Sequence, residues 1–117
     1  MKTAIIGSRN ITNVDLSRFL PIGTTEIISG GARGVDTVAK EYANRNGLKL
    51  TEFLPDYERF GRGAPLKRNI TIIENADIVL AFWDGKSRGT KFVIDNCRRR
   101  NIPIKIYLAP DFVQMAE

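Results

Sequence analysis

The chain has 117 residues, 43% hydrophobic and 26% charged. These are the proportions of one soluble globular domain, and they exclude a disordered, collagen-like or coiled-coil chain. The net charge of +5 favours an anionic partner, while the absence of histidine and the single cysteine exclude histidine triads, histidine metal sites and internal disulfides.

Strand and helix signals alternate along the chain. Ala4-Ile5-Ile6 is a short apolar run closed by Gly7 and reads as a buried strand. Asn13 is placed to cap a short helix with Leu16, Phe19 and Leu20 on one face, stopped by Pro21. Glu26 to Ser29 reads as the second strand. Val35, Val38, Ala39, Tyr42 and Ala43 form a helical stripe that Gly47 terminates.

Leu48 to Phe53 reads as the third strand, followed by a polar loop from Leu54 to Ala64. Pro65 fits the first turn of a third helix, with Leu66, Ile70 and Ile73 facing one way. Ile78 to Trp83 is apolar at every position and reads as a central strand. A fourth helix is expected from Thr90 to about Arg100 and a fifth strand from Pro103 to Tyr107, with a short tail from Pro110. Cys97 reads as core, and Arg98-Arg99-Arg100 as a solvated helix end.

This order predicts a single α/β domain over residues 1–117, a Rossmann-like three-layer sandwich. Its parallel sheet has five strands in the order 3-2-1-4-5, because strands three and five alternate in polarity and look like edges. The switch point then falls between strands one and four, where such sheets bind ligands. No run has the length of a membrane span. The apolar start is broken too early, by Gly7-Ser8-Arg9-Asn10, for a signal peptide. A reduced, cytoplasmic compartment is expected.

Three strand-to-helix loops are predicted at one sheet edge. They are Gly7-Ser8-Arg9-Asn10, Ser29-Gly30-Gly31-Ala32-Arg33-Gly34 and Asp84-Gly85-Lys86-Ser87-Arg88-Gly89-Thr90. Each joins glycine, hydroxyl and arginine. Glycine lets amides approach an anion, the following helix start adds partial positive charge, and arginine offers a planar fork to phosphate. Arg68 and Asn69, in the first turns of the third helix, border the same crevice or a solvated face. Trp83 is read as packing under the fourth helix, with a stacking platform as the alternative. Neither the dinucleotide glycine signature nor a Walker lysine is present, and no metal or cofactor is expected.

The blocks Ile5-Ile6-Gly7-Ser8-Arg9, Ser29-Gly30-Gly31-Ala32-Arg33-Gly34-Val35-Asp36, Lys67-Arg68-Asn69 and Ala81-Phe82-Trp83-Asp84-Gly85-Lys86-Ser87-Arg88-Gly89-Thr90 resemble the SLOG superfamily. That superfamily unites DprA/Smf proteins with LOG phosphoribohydrolases, and its small YspA/YpsA-related branch is the most similar. The resemblance spans about residues 3–107. It implies a domain that binds a nucleotide or nucleotide-derived ligand as a sensor or regulatory module. The residues that match are Gly7, Ser8, Arg9, Gly30, Gly31, Arg33, Asp36, Arg68, Asn69, Asp84, Gly85, Ser87, Gly89 and Thr90, and the loop reading adds Arg88.

LOG enzymes have a glutamate three residues after the Gly-Thr pair, where this chain has Val93. Valine neither activates water nor stabilises a cationic sugar, so no efficient base-cleaving activity is expected. The alternatives are such an enzyme using Arg68 with Asp36 or Asp84, and a DprA-like single-stranded nucleic-acid binder. The resemblance also implies a homodimer; the sequence adds only that the apolar tail residues Phe112, Val113 and Met115 need cover or remain disordered.

Overall fold

The computed structural model describes residues 1–116. Six strands form one sheet in the order β3-β2-β1-β4-β5-β6. The first five, β1 (Lys2–Gly7), β2 (Glu26–Ser29), β3 (Lys49–Glu52), β4 (Ile78–Trp83) and β5 (Ile104–Leu108), are parallel and follow the predicted order. The sixth, β6 (Val113–Gln114), pairs antiparallel with β5. Sequence reasoning missed it, because two residues are too short to show an alternation.

The helices are α1 (Val35–Asn46), a single turn α2 (Tyr57–Phe60), α3 (Ala64–Glu74) and α4 (Arg88–Arg100). They cover both faces of the sheet. Adjacent residues of a strand point to opposite faces, so Ile5 and Leu80 join the core under α1, while Ile6 and Ala81 join the core under α3 and α4. Among the described residues no helix is long and apolar enough to cross a membrane.

Several boundaries differ from the sequence reading. The element after β1 is only a 3₁₀ turn, Leu16–Arg18, and its cap is Asp15 rather than Asn13: the Asp15 carboxylate accepts from the Ser17 amide at 3.2 Å. The segment read as a polar loop contains α2 and a 3₁₀ turn over Gly61–Gly63. There the Asp56 carboxylate caps the Arg59 amide at 3.2 Å. Helix α4 begins at Arg88 rather than Thr90, because the Ser87 hydroxyl accepts from the Thr90 amide at 3.4 Å and so serves as N-cap.

The tail folds back on the chain itself. Phe112 meets Phe19 and Phe82 edge to face, at 6.3 Å and 5.8 Å between ring centres, and Met115 packs on the opposite core. Val113 remains exposed. Cys97 is buried, and burial pushes its thiol up to about 11, the state of an inert core thiol. The Arg98–Arg100 run is exposed, and Arg100 reaches Glu74 at 3.5 Å.

Candidate functional site

The chain leaves β3 at one side of β1 and returns through α3 to β4 on the other side. The loops after β1, β2 and β4 therefore diverge at the carboxyl edge, and the start of α3 closes the gap. A cavity of about 410 Å³ lies there. Of the residues expected at the site, Gly7, Ser8, Arg9, Gly30, Arg33, Arg68, Asn69, Asp84, Ser87, Gly89 and Thr90 line it. Gly31, Gly85 and Arg88 do not. Arg88 is exposed as the first residue of α4, outside the cavity wall.

The three loops are tied to one another. The buried Ser8 donates its amide to the Phe82 carbonyl at 3.1 Å, and its hydroxyl accepts the Asp84 amide at 3.2 Å. These bonds lock the first loop to the third. Gly34 lies against the backbone of Arg9, which locks the first loop to the second. Asp84 shapes the third loop by accepting the amides of Lys86 at 2.8 Å and Ser87 at 2.7 Å. Those amides, Ser87 first, hold the carboxyl below its ordinary value. Trp83 donates its indole N–H to the Ser87 carbonyl at 3.1 Å and packs on the core. It does not line the cavity, in keeping with the packing reading.

Arg68 reaches across from α3. Its Nη1 donates to the carbonyls of Gly30 at 2.7 Å and Phe53 at 3.4 Å, and its Nε to Asn69 Oδ1 at 2.8 Å. A side chain at position 30 would put its Cβ 2.5 Å from Arg68 Nη1, so Gly30 makes room for the guanidinium. Arg68 Nη2 has no protein partner among the described residues, and no buried side-chain nitrogen or oxygen lacks one. The accessible Nη2 thus remains able to donate to a ligand.

Asp36, in the first turn of α1, is 9% exposed and accepts the Ala32 amide at 3.0 Å. Burial raises its carboxyl above the ordinary value of 3.8, against the Ala32 hydrogen bond and the nearby Arg68 charge. The folded chain therefore holds this proton more tightly than the unfolded chain. The stability this gives is full below about pH 3.8 and is lost as pH rises through the folded value. Asp36→Asn should lose less stability than the natural chain between pH 4 and pH 7. Urea unfolding at both pH values tests this, and equal losses would contradict it.

Sequence reasoning missed Ile6, Asn10, Ala32, Pro65, Leu66 and Ile72, which also line the cavity. Asn10 had a signal, since it directly follows Arg9 in a recognised loop. The stripe reading places Leu66 on the core face with Ile70 and Ile73, but Leu66 is 43% exposed at the cavity, while Ile72, outside that stripe, is fully buried and joins the core as well as the cavity wall. Among the described residues no group of three or more histidine, cysteine, aspartate or glutamate side chains is placed to hold a metal ion.

A family model described as "YspA, cpYpsA-related SLOG family" matches residues 4–60. The Gene 61 protein of Mycobacterium phage D29 is 34% identical over 84 residues, 67% of each chain. The chain belongs to the YspA, cpYpsA-related SLOG family. No solved structure matches it, and the phage relative's name states no activity. In this SLOG domain the matched stretch runs from β1 through α2. It contains the first two cavity loops, while α3 and the third loop lie beyond it.

Proposed function

We propose that this SLOG domain binds a nucleotide or nucleotide-derived ligand as a sensor or regulatory module, with its phosphate held by Arg9, Arg33 and Arg68. The observation that carries this reading is the cavity at the switch point, where these three arginines and an α1 N-terminus without a side-chain cap converge. Its volume of about 410 Å³ suits a small molecule, for which sites of roughly 300–1,000 Å³ are usual. Gly89 has nothing within 4 Å of where a Cβ would lie and keeps its part of the wall at backbone height, so an anion can approach the amides there.

Each charge-assisted hydrogen bond to phosphate contributes about 1.5–3 kcal/mol. Arg33→Ala should therefore weaken nucleotide binding by about 10- to 100-fold. Arg88→Ala, at the exposed position outside the wall, should change it less than about twofold. Calorimetry with a panel of nucleoside mono- and diphosphates measures both. Equal effects of the two substitutions would remove the arginine cluster from the reading.

The base-cleaving alternative loses support from packing. Val93, at the position of the LOG glutamate, is fully buried in the core under α4 and lies outside the cavity wall. Asp36, Asp84 and Arg68 do line the cavity, but each already has a role in holding a loop. The calorimetry samples, analysed by chromatography, should contain no free base above the blank. Base release abolished by Arg68→Ala would reverse the assignment.

A further inference from the structure

Beside the cavity, on the other side of Arg68, runs a second hollow of about 210 Å³. Phe53, Asp56, Phe60, Lys67, Arg68 and Thr71 contribute to its wall. Arg68 lines both spaces, and its Nη1 bonds to the Gly30 and Phe53 carbonyls fix the guanidinium at the divide. Phe60 keeps 37% of its surface exposed although it is a large aromatic. Two cations attend its ring, Arg59 at 5.1 Å and Lys67 at 5.5 Å from the centroid. Such contacts are weak at exposed sites and readily exchanged. The one carboxylate of the hollow, Asp56, is occupied in capping the Arg59 amide at 3.2 Å.

This combination suits one chemistry. An exposed ring offers a face to a base, and every base has a π-face to stack on it. The cation displaced from that ring, together with the accessible Nη2 of Arg68, would meet a phosphate at the junction. A purely apolar group would satisfy the ring but leave two desolvated cations, and a lone phosphate would leave the ring unused.

We propose that the site takes two nucleotide units joined through phosphate, the first in the cavity and the second in the hollow, with its base on Phe60 and the linking phosphate between Arg68 and Lys67. The proposal rests on the nucleotide reading and adds the size of the ligand to it. It also sets an upper limit, because the hollow, at about 210 Å³ against about 410 Å³ for the cavity, has room for one further unit and not for two.

The test is calorimetry with 5′-phosphorylated mono-, di-, tri- and hexanucleotides of adenine and thymine. The expected result is a dinucleotide bound about tenfold more tightly than the mononucleotide, with less than twofold further gain for longer strands. Phe60→Ala should abolish the gain and leave mononucleotide affinity unchanged, while Phe60→Tyr should retain it. Circular dichroism confirms that both variants fold. Equal affinity for one and two units, or a gain that survives Phe60→Ala, overturns the two-unit site while leaving the nucleotide reading intact. Affinity climbing steadily to six units overturns it in favour of a single-strand binder. Failure of every mono- and oligonucleotide to bind overturns both readings.

Discussion

Gly34→Ala is expected to lower stability by about 3 kcal/mol or more, from two independent effects. Position 34 has φ +75° and ψ −125°, a combination closed to residues with a Cβ, and forcing one there costs about 1–3 kcal/mol. A Cβ would also sit 2.6 Å from the Arg9 carbonyl carbon and 2.7 Å from its Cα. Those are backbone atoms that no rotamer change can move, so the first loop must shift, at about 1–3 kcal/mol more. For a chain of this size the melting temperature should fall by more than about 10 °C. Calorimetric melting measures it, and a fall under about 3 °C would show that the two loops are not packed backbone to backbone. Because Arg9 and Arg33 flank this contact, nucleotide binding should weaken even at temperatures where the variant is folded.

Arg68→Ala should have the second largest effect, and it should be visible in both stability and binding. The substitution strands the Gly30 carbonyl, with a penalty of about 1–3 kcal/mol for a desolvated acceptor. It also removes the positive charge nearest the buried Asp36. Arg68 is only half-buried, so its charge contribution is discounted for screening. Together about 2–3 kcal/mol should be lost, read as a lower urea midpoint at unchanged slope. Nucleotide affinity should fall by more than about tenfold, since Nη2 is lost as well. Arg68→Lys restores the charge but not the planar fork that spans Gly30, Phe53 and Asn69. It should therefore recover less than half of either loss. A wild-type midpoint for Arg68→Ala would show that these hydrogen bonds contribute nothing net.

The sheet was legible because its strands differ in polarity. The unbroken apolar run of Ile78–Trp83 belongs in the middle, where both faces are covered, and the structure places it there. The alternating strand Lys49–Glu52 is an edge, as its alternation implies. The other alternating strand, Ile104–Leu108, is not, since Val113–Gln114 pairs along it. Nothing in those two residues distinguishes a strand from a tail.

The caps were harder to read. Asp15 and Asn13 are both good N-cap residues two positions apart, and the choice between them is made by Leu16, which is 1% exposed and fixes the turn. At the site, the loops were recognisable from glycine and arginine. Which of their arginines face inward was not, because that depends on the first turn of α4. Ser87 is the cap and the helix starts two residues before Thr90, so Arg88 stands exposed in its first turn, outside the cavity wall. The hollow beside Phe60 was invisible, since it is built by a four-residue helix that the sequence presents as a polar loop.

The chain contains one tryptophan, and Trp83 is bonded through its indole N–H to the carbonyl of Ser87, a residue of the cavity wall. The protein therefore carries its own optical reporter in the right place. Ultraviolet emission from this ring depends on that hydrogen bond and on the water that reaches the loop, so any rearrangement of residues 84–87 is recorded without a dye or an attached label. Because there is no second indole, the signal belongs to one loop alone.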